Sequence, residues 1–376
     1  MQIIPIASGK GGVGKSLLSA NLAVALGQAG KKVVLADLDL GSSNLHLAIG
    51  QTAPKVGIGT FLTGESRFED VIQPTDYENV SFIAGDSEIP GLSALKIYQK
   101  NILIKSFNSL DADYVVLDLG AGTHLMILDL FLLSPQGIVV TAPTVTATLN
   151  GYLFLKNAVF RLMATTFKKG SKAAAYLEKL RTDSNQLQRL YIPKLIEAIE
   201  AVDPVNAKKF NEKMELFRPR LVLNQISEPK DADKALRIRR SCQTYLGLDV
   251  EHLGIMYHDS LQDKALASKM PVISYKQNSV LSQAVYRIAE KILQSEATHF
   301  AEGDVSESYE LASEEAADDY ASKLSYVEDL LGSGTFTVAE LAETIKTQQY
   351  EMTQLRNENT MLKSKLVKAA KLGFKV

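Results

Sequence analysis

A chain of 376 residues with 46% hydrophobic composition can bury a full-sized core, which excludes disorder throughout and leaves room for one large α/β domain plus an appendage, or for two smaller domains. A formal net charge of −2 gives no overall basic bias and argues against wrapping nucleic acid with the whole surface, although local patches remain open. The single cysteine, Cys242, cannot form an internal disulfide, a four-cysteine zinc site or a cysteine-ligated cluster within one chain, and it points to a reducing compartment.

The start MQIIPIASGKGG lacks the charged n-region and apolar stretch of a signal peptide, and no run of about 18 apolar residues occurs. The expectation is a cytoplasmic protein with at most peripheral contact at the inner face of the cell membrane. As far as Ser295, short β-branched apolar runs alternate with helical patterns, the signature of parallel strands joined by crossover helices. Strands are expected at residues 2–7, 32–37, 80–84, 114–118, 137–142, 220–224 and 252–255, each nearly continuously apolar as strands buried on both faces must be. The fold class is α/β, a doubly wound and mostly parallel sheet.

The alternation stops over residues 153–218, which read as a helical insertion carrying Lys168, Lys169, Lys172, Arg181 and Arg189. Pro193 and the pair Asp203-Pro204 divide it into two or three helices, expected to pack on the edge of the sheet. The first domain would end near residue 300. From Glu302 to Asp329 ten acidic residues face one basic residue, Lys323, so residues 301–335 read as a flexible acidic linker with little to bury.

A helix is expected over residues 336–376, opened by a capping box of Thr337 and Glu340. Val338, Leu341, Ile345, Met352, Leu355, Leu362, Leu366 and Ala369 keep coiled-coil spacing if Gln348 and Asn359 take the two missing seam positions. A helix lying back on the globular domain is the alternative. At its end Lys365, Lys368, Lys371 and Lys375 oppose Leu362, Leu366, Val367, Ala370 and Phe374 on a helical wheel. That pattern fits a helix lying on an anionic membrane surface, or simply the basic end of a coiled coil complementing its dipole.

Chemistry concentrates at residues 9–16, GKGGVGKS, which fit GxxxxGK[ST] directly after a buried strand and open what reads as an amphipathic helix. Gly11, Gly12, Val13 and Gly14 let backbone N–H groups converge on phosphate oxygens, with the helix start near Lys15 adding its positive dipole end. Lys15 would neutralise β and γ oxygens, the Ser16 hydroxyl would ligate Mg²⁺, and Leu17 follows at the site. A magnesium shell needs a strand-terminal carboxylate, and Asp118 ends the run 114–118; a cap for the following helix is its other reading. Asp37 and Asp39 follow the second strand, where alternation would put both on one side of the carboxyl edge. One would position the attacking water and the other brace Mg²⁺ or the loop. With no dedicated Gln or Glu in view, hydrolysis should be slow until a partner completes the site.

Lys10 within KGGVGKS, with residues 37–50 (DLDLGSSNLHLAIG), 59–74 (GTFLTGESRFEDVIQP) and 118–122 (DLGAG), resembles the deviant Walker A ATPases of the MinD/ParA family, most of all its FlhG (FleN) and MinD branch. The resemblance is strong to about residue 160 and moderate over 219–295. It implies a P-loop NTPase fold of the SIMIBI type, ATP and ADP with Mg²⁺ as ligands, and an ATP-state homodimer in which Lys10 reaches the partner's phosphates. It further implies a catalytic switch I role for Asp39, which with Ser16 and Asp118 would make up the metal set, and adenine recognition by Asn224. Two departures stand out: Asn150 where the family often has an aspartate, and Tyr257 in place of a proline near adenine.

Cys242 alone excludes the iron–sulfur carriers and nitrogenase-type reductases that share the fold. Three functions remain. The first is a spatial regulator of a polar or membrane-associated assembly, of the flagellar-number or division-site kind, working with a protein activator or cargo. The second is a partition ATPase binding DNA non-specifically through Lys168, Lys169, Lys172, Arg237, Arg239 and Arg240. The third is a structural adaptor in which ATP is only a fold ligand.

Overall fold

The computed structural model describes residues 1–40, 43–52, 56–85, 97–181, 191–297 and 305–332, with isolated helical positions at Lys346, Gln349, Thr353, Glu358 and 360–362. Eight strands form one sheet: β1 (Gln2–Ser8), β2 (Val33–Leu38), β3 (Ile72–Pro74), β4 (Val80–Ile83), β5 (Tyr114–Ala121), β6 (Ile138–Thr141), β7 (Arg220–Ile226) and β8 (Glu251–Tyr257). Their spatial order is β3-β4-β2-β5-β1-β6-β7-β8, and every neighbouring pair is parallel except β3 with β4. The seven expected strands are present within a few residues. β3 is the addition, a three-residue antiparallel edge ending at Pro74, where a proline without an N–H discourages further pairing.

Alternate residues of each strand feed two apolar layers. Val115, Leu117 and Leu119 of β5 face one layer, while Tyr114 and Val116 face the other. The second layer is filled by α1 (Lys15–Gln28), in which every residue except Ser16 and Gln28 is buried. This corrects the amphipathic expectation. Helix α1 lies between the sheet and α13 (Val280–Ala297), so Leu18, Leu22 and Leu26 meet strand residues and Leu281, Val285, Ile288 and Ile292 together. A helix covered on all sides is apolar on all sides.

The crossover helices over the first layer are α4 (Ile97–Asn108), α5 (Leu125–Phe131), α6 (Val145–Thr166) and α10 (Asp233–Leu246). The insertion supplies α7 (Lys172–Arg181), α8 (Ile192–Val202), which carries Pro193 in its first turn, and α9 (Pro204–Leu216). Asp203 caps α9 by accepting from the Asn206 N–H at 3.3 Å, and it also accepts from the Ala173 N–H at 3.2 Å, so one carboxylate ties two helix starts together. Leu177, Leu195, Ile199 and Phe210 join Phe154, Met163 and Leu246 in one apolar cluster. The insertion therefore stacks on the helix layer of α6 and α10, not on the sheet edge as the sequence suggested. The short helices α2 (Leu45–Ala48), α3 (Ile58–Thr63), α11 (Leu261–Ala267) and α12 (Val272–Tyr275) occupy connections.

The acidic linker is the second correction. Residues Val305–Gly332 form a helix, α14, and the main compact unit extends to Asp319, well beyond residue 300. Val305, Tyr309, Ala312, Ala316 and Asp319 recur every three or four residues, and from Tyr309 onward all are buried. Small alanines make this seam nearly invisible in a hydropathy reading, while the acidic residues other than Asp319 lie off the seam. The second unit runs Tyr320–Val376. The expected coiled coil, with Asn359 and the basic terminal face, lies outside the described residues apart from the isolated helical positions.

Candidate functional site

The site stands at the carboxyl ends of the central strands, where β1 hands over to α1. Gly12 and Gly14 take left-handed conformations with φ of 79° and 87°. Gly14 has a second constraint: a Cβ there would lie 2.0 Å from Nδ2 of Asn224. Gly9 is small because a Cβ would lie 2.0 Å from the carbonyl oxygen of Asn150, so α6 presses directly on the loop. The first turn of α1 carries no acidic residue of its own, and its positive dipole end favours an anion.

Asn224 and Gln225 shape the loop from behind. Asn224 Nδ2 donates to the Val13 carbonyl at 2.9 Å, and Gln225 Nε2 donates to the Gly12 carbonyl at 3.0 Å. In a planar trans peptide the next N–H points opposite its carbonyl, so these bonds turn the Val13 and Gly14 N–H groups away from β7 and into the concavity. Asn224 Oδ1 accepts from the Gln225 N–H at 2.8 Å, and Gln225 takes a φ of 62° within an irregular stretch of the β7–β8 ladder. Both ends of the Asn224 amide are thus engaged on protein backbone, and the residue is 2% exposed. Gln225 is a site residue that sequence reading missed, because only the irregularity aims it at the loop.

Below the loop lies a charged cluster. Lys15 Nζ is 2.8 Å from Asp118 Oδ1, the Ser16 hydroxyl donates to Asp118 Oδ2 at 2.6 Å, and the Ser19 hydroxyl donates to Oδ1 at 2.9 Å. Asp37 pairs in register with Asp118 on the adjacent strand and is fully buried. Its carboxylate accepts from the Ser43 hydroxyl at 2.7 Å and from the N–H groups of Leu45 at 3.1 Å and Asp39 at 3.0 Å, which fastens the segment after β2. Burial, reinforced by the charge of Asp118, still pushes the Asp37 carboxyl up to about 6 against the pull of those bonds.

Asp37 and Asp39 do not share one environment, contrary to the alternation argument, because β2 ends at Leu38 and the chain turns. Asp39 is half-buried and reaches over Gly120, where a Cβ would lie 3.3 Å from its Oδ1. Val13 and Leu17 are buried beside the loop, while Gly11 and Lys10 are exposed on it. Lys10 Nζ donates to the Thr146 hydroxyl on α6 at 3.2 Å. Tyr257 is not at a base-binding surface: it is 2% exposed, and its hydroxyl donates to the Ala316 carbonyl of α14 at 2.7 Å.

No group of three or more His, Cys, Asp or Glu suited to a metal occurs among the described residues. A magnesium ion held mainly by phosphates, water and one hydroxyl needs no such cage. Ser16 with Asp118, beside a second buried carboxylate whose proton affinity is raised, is a donor set that a divalent cation suits. Among the described residues no helix is long and apolar enough to cross a membrane.

A model of the CobQ/CobB/MinD/ParA nucleotide binding domain matches residues 4–272. The flagellum site-determining protein YlxH of Helicobacter pylori is 34% identical over 161 residues, 41% of this chain and 53% of that protein. The septum site-determining protein MinD of the same organism is 33% identical over 147 residues, 39% of this chain and 54% of that protein. The chain thus spans about half the length of these curated relatives. The Mg-ADP complex of MinD from Pyrococcus horikoshii superposes with a TM-score of 0.53 at 23% identity, covering 80% of this chain and 99% of that one, a likeness of fold.

Proposed function

The chain belongs to the CobQ/CobB/MinD/ParA nucleotide-binding family, and we propose that within it this protein is a slow, partner-stimulated ATPase that dimerises on ATP and positions a polar or membrane-associated assembly. The observation that carries the reading is the buried Lys15–Asp118 pair, joined by the partly buried Ser16, under a loop whose second lysine, Lys10, stands outside it. Lys15 exchanges Asp118 for the β and γ phosphates of ATP, and the N–H groups of residues 11–17 line them. Ser16, Asp118 and Asp39 hold the magnesium shell, and Mg²⁺ when bound neutralises charge on the terminal phosphates. Asp39 orients the attacking water, and Asn224 with Gln225 keeps the loop in shape beside the base.

Lys10 bonds Thr146 on α6, the helix that also carries Val145 and Leu149, which are 81% and 55% exposed. An exposed ammonium beside exposed apolar side chains fits the face of a second copy, whose nucleotide would supply the anionic oxygens. The site-determining relatives, and an expected terminal helix suited to anionic lipid, favour spatial regulation. With Asp39→Ala, ATP affinity should stay within about threefold while turnover falls by about two orders of magnitude. Turnover equal to the wild type would remove Asp39 from the reaction. Imaging the tagged protein with and without residues 336–376 tests the spatial role: a pole or membrane pattern that depends on the segment is expected, and a nucleoid pattern would contradict it.

One observation favours DNA partition as a second reading. The Lys168 N–H reaches Asn206 Oδ1, at 3.4 Å, which gathers exposed Lys168, Lys169, Lys172, Lys208 and Lys209 on the insertion. Arg239 is not available to such a surface, since it stacks on Tyr309 and bonds Ser306. DNA binding that requires ATP and falls steeply with salt would promote that reading. A filled ATP site with no turnover under any condition would favour the adaptor.

A further inference from the structure

The edge strand β8 would present a row of unpaired backbone groups were it not covered by the first half of α14. The covering uses side chains matched to that edge. The Ser308 hydroxyl accepts from the His252 N–H at 3.1 Å, the Tyr309 hydroxyl donates to the Val250 carbonyl at 2.9 Å, and the Tyr257 hydroxyl donates to the Ala316 carbonyl at 2.7 Å. Tyr309, Ala312 and Ala316 are 5%, 1% and 0% exposed, and the Arg239 guanidinium stacks 4.9 Å from the Tyr309 ring centroid. At the rim Lys291 pairs with Glu315 at 2.8 Å, and at the end of the seam Arg287 pairs with the buried Asp319. Residues 305–319 thus form a strap seated in a groove of fitting chemistry.

The strap connects to the phosphate loop through consecutive contacts. Tyr257, held by Ala316, is the last residue of β8 and pairs in register with Ile226 at the end of β7, whose carbonyl also accepts from the His258 N–H at 3.0 Å. The preceding residues are Gln225 and Asn224, the two amides that fix the Gly12 and Val13 carbonyls. Pulling the end of β8 outward therefore moves the groups that turn the loop N–H donors into the concavity.

We propose that the strap is coupled to the nucleotide site through Tyr257, so that nucleotide binding tightens the strap and release of the strap weakens nucleotide binding. This rests on the ATP-site reading above. The coupling is reciprocal: the factor by which nucleotide suppresses strap opening equals the factor by which an undocked strap lowers nucleotide affinity. Whatever acts on the chain beyond Asp319 then gains a route to the site.

Cys242 provides the readout. It is the chain's single cysteine, is 0% exposed, and lies one turn from Arg239 on α10 in the same apolar cluster as Tyr309, Ala312 and Ala316. Labelling the full chain with a fluorescent maleimide reports the fraction of time the groove is open. Saturating Mg-ATP, its binding verified in parallel by titration of a fluorescent nucleotide analogue, should slow labelling by about fivefold or more. Ala316→Glu, which places a charge at a fully buried seam position, should label rapidly with or without nucleotide and bind the analogue more weakly by that same factor. Tyr257→Phe keeps the seam but removes the hydroxyl link, so the effect of nucleotide on labelling should shrink toward none. Wild-type labelling that ignores bound nucleotide, or a Tyr257→Phe chain that keeps the full effect, overturns the coupling while leaving the ATP site intact. A titration showing no nucleotide binding at all removes the ATP-site reading, and the coupling with it.

Discussion

Beneath the phosphate loop the charged groups are inside: Lys15 and Asp118 are 7% and 1% exposed, and Asp37 is buried next to them. Along β8 the arrangement is reversed, with Arg287, Lys291 and Glu315 at the rim and Tyr309, Ala312 and Ala316 in the seam. Two carboxylates and one ammonium buried together are a poor source of stability, because desolvation offsets most of their attraction. Such a cluster makes sense as a site kept ready for phosphate and a cation. The strap follows the opposite rule: apolar contact and hydroxyl bonds to an otherwise bare strand edge hold most of it, with one ion pair at the rim and one at the end of the seam. One region is organised for a ligand and the other for packing.

The sharpest break between them is expected from Lys15→Ala. Removing one partner of the buried pair leaves Asp118 with its hydroxyl donors only, so stability should fall by roughly 3–5 kcal/mol and nucleotide binding should vanish. Chemical denaturation and nucleotide titration check the two effects separately, and a variant that binds nucleotide normally would contradict the site.

A middle-sized effect is expected from pH at the strap. Burial, aided by the nearby charge of Lys291, lowers His252 to about 3 from 6.5, and its ring lies edge-on to Tyr309 at 5.0 Å between centroids. The folded state therefore requires the neutral ring. That stability is fully present above the ordinary histidine value and is lost as pH falls below it, by roughly 2 kcal/mol between pH 7 and pH 5. Asp37, raised to about 6, gains stability over the same range and opposes this loss, so the His252 part is read as the difference between wild-type and His252→Phe denaturation midpoints; a difference that does not change with pH would place the proton uptake elsewhere.

The smallest effect belongs to the rim. Lys291→Ala removes a partly exposed pair with Glu315 and should cost under about 1 kcal/mol in the same denaturation assay. A loss comparable to that of Lys15→Ala would mean that charge, and not the seam, holds the strap.

These two regions also differ in how far the sequence exposes them. The loop is legible because its constraint is local: eight consecutive residues carry the glycines, the lysines and the hydroxyl, and a strand and a helix flank them. Asp118 was readable from its strand end for the same reason. Gln225 was not, since nothing beside it in the chain reveals the irregular pairing that turns it onto Gly12. In the sequence the strap reads as a flexible linker because its seam is built from alanines within an acidic composition, and its partners lie some 60 residues upstream, as in the bond between Tyr257 and Ala316. Helix α1 misled in the other direction, since a helix covered by both the sheet and α13 shows no polar face. Tyr257 stands in place of the family's proline near adenine, yet its hydroxyl bonds Ala316 and it belongs to the strap.

The proposed joining of two copies by ATP through Lys10 can be followed by sedimentation of a chain ending at Gly332, which keeps α14 whole and omits the expected coiled coil. With Asp39→Ala present to block turnover, dimer is expected in Mg-ATP, monomer in ADP, and monomer in both once Lys10→Ala is added. A chain shown to hold Mg-ATP that stays monomeric at tens of micromolar would contradict it.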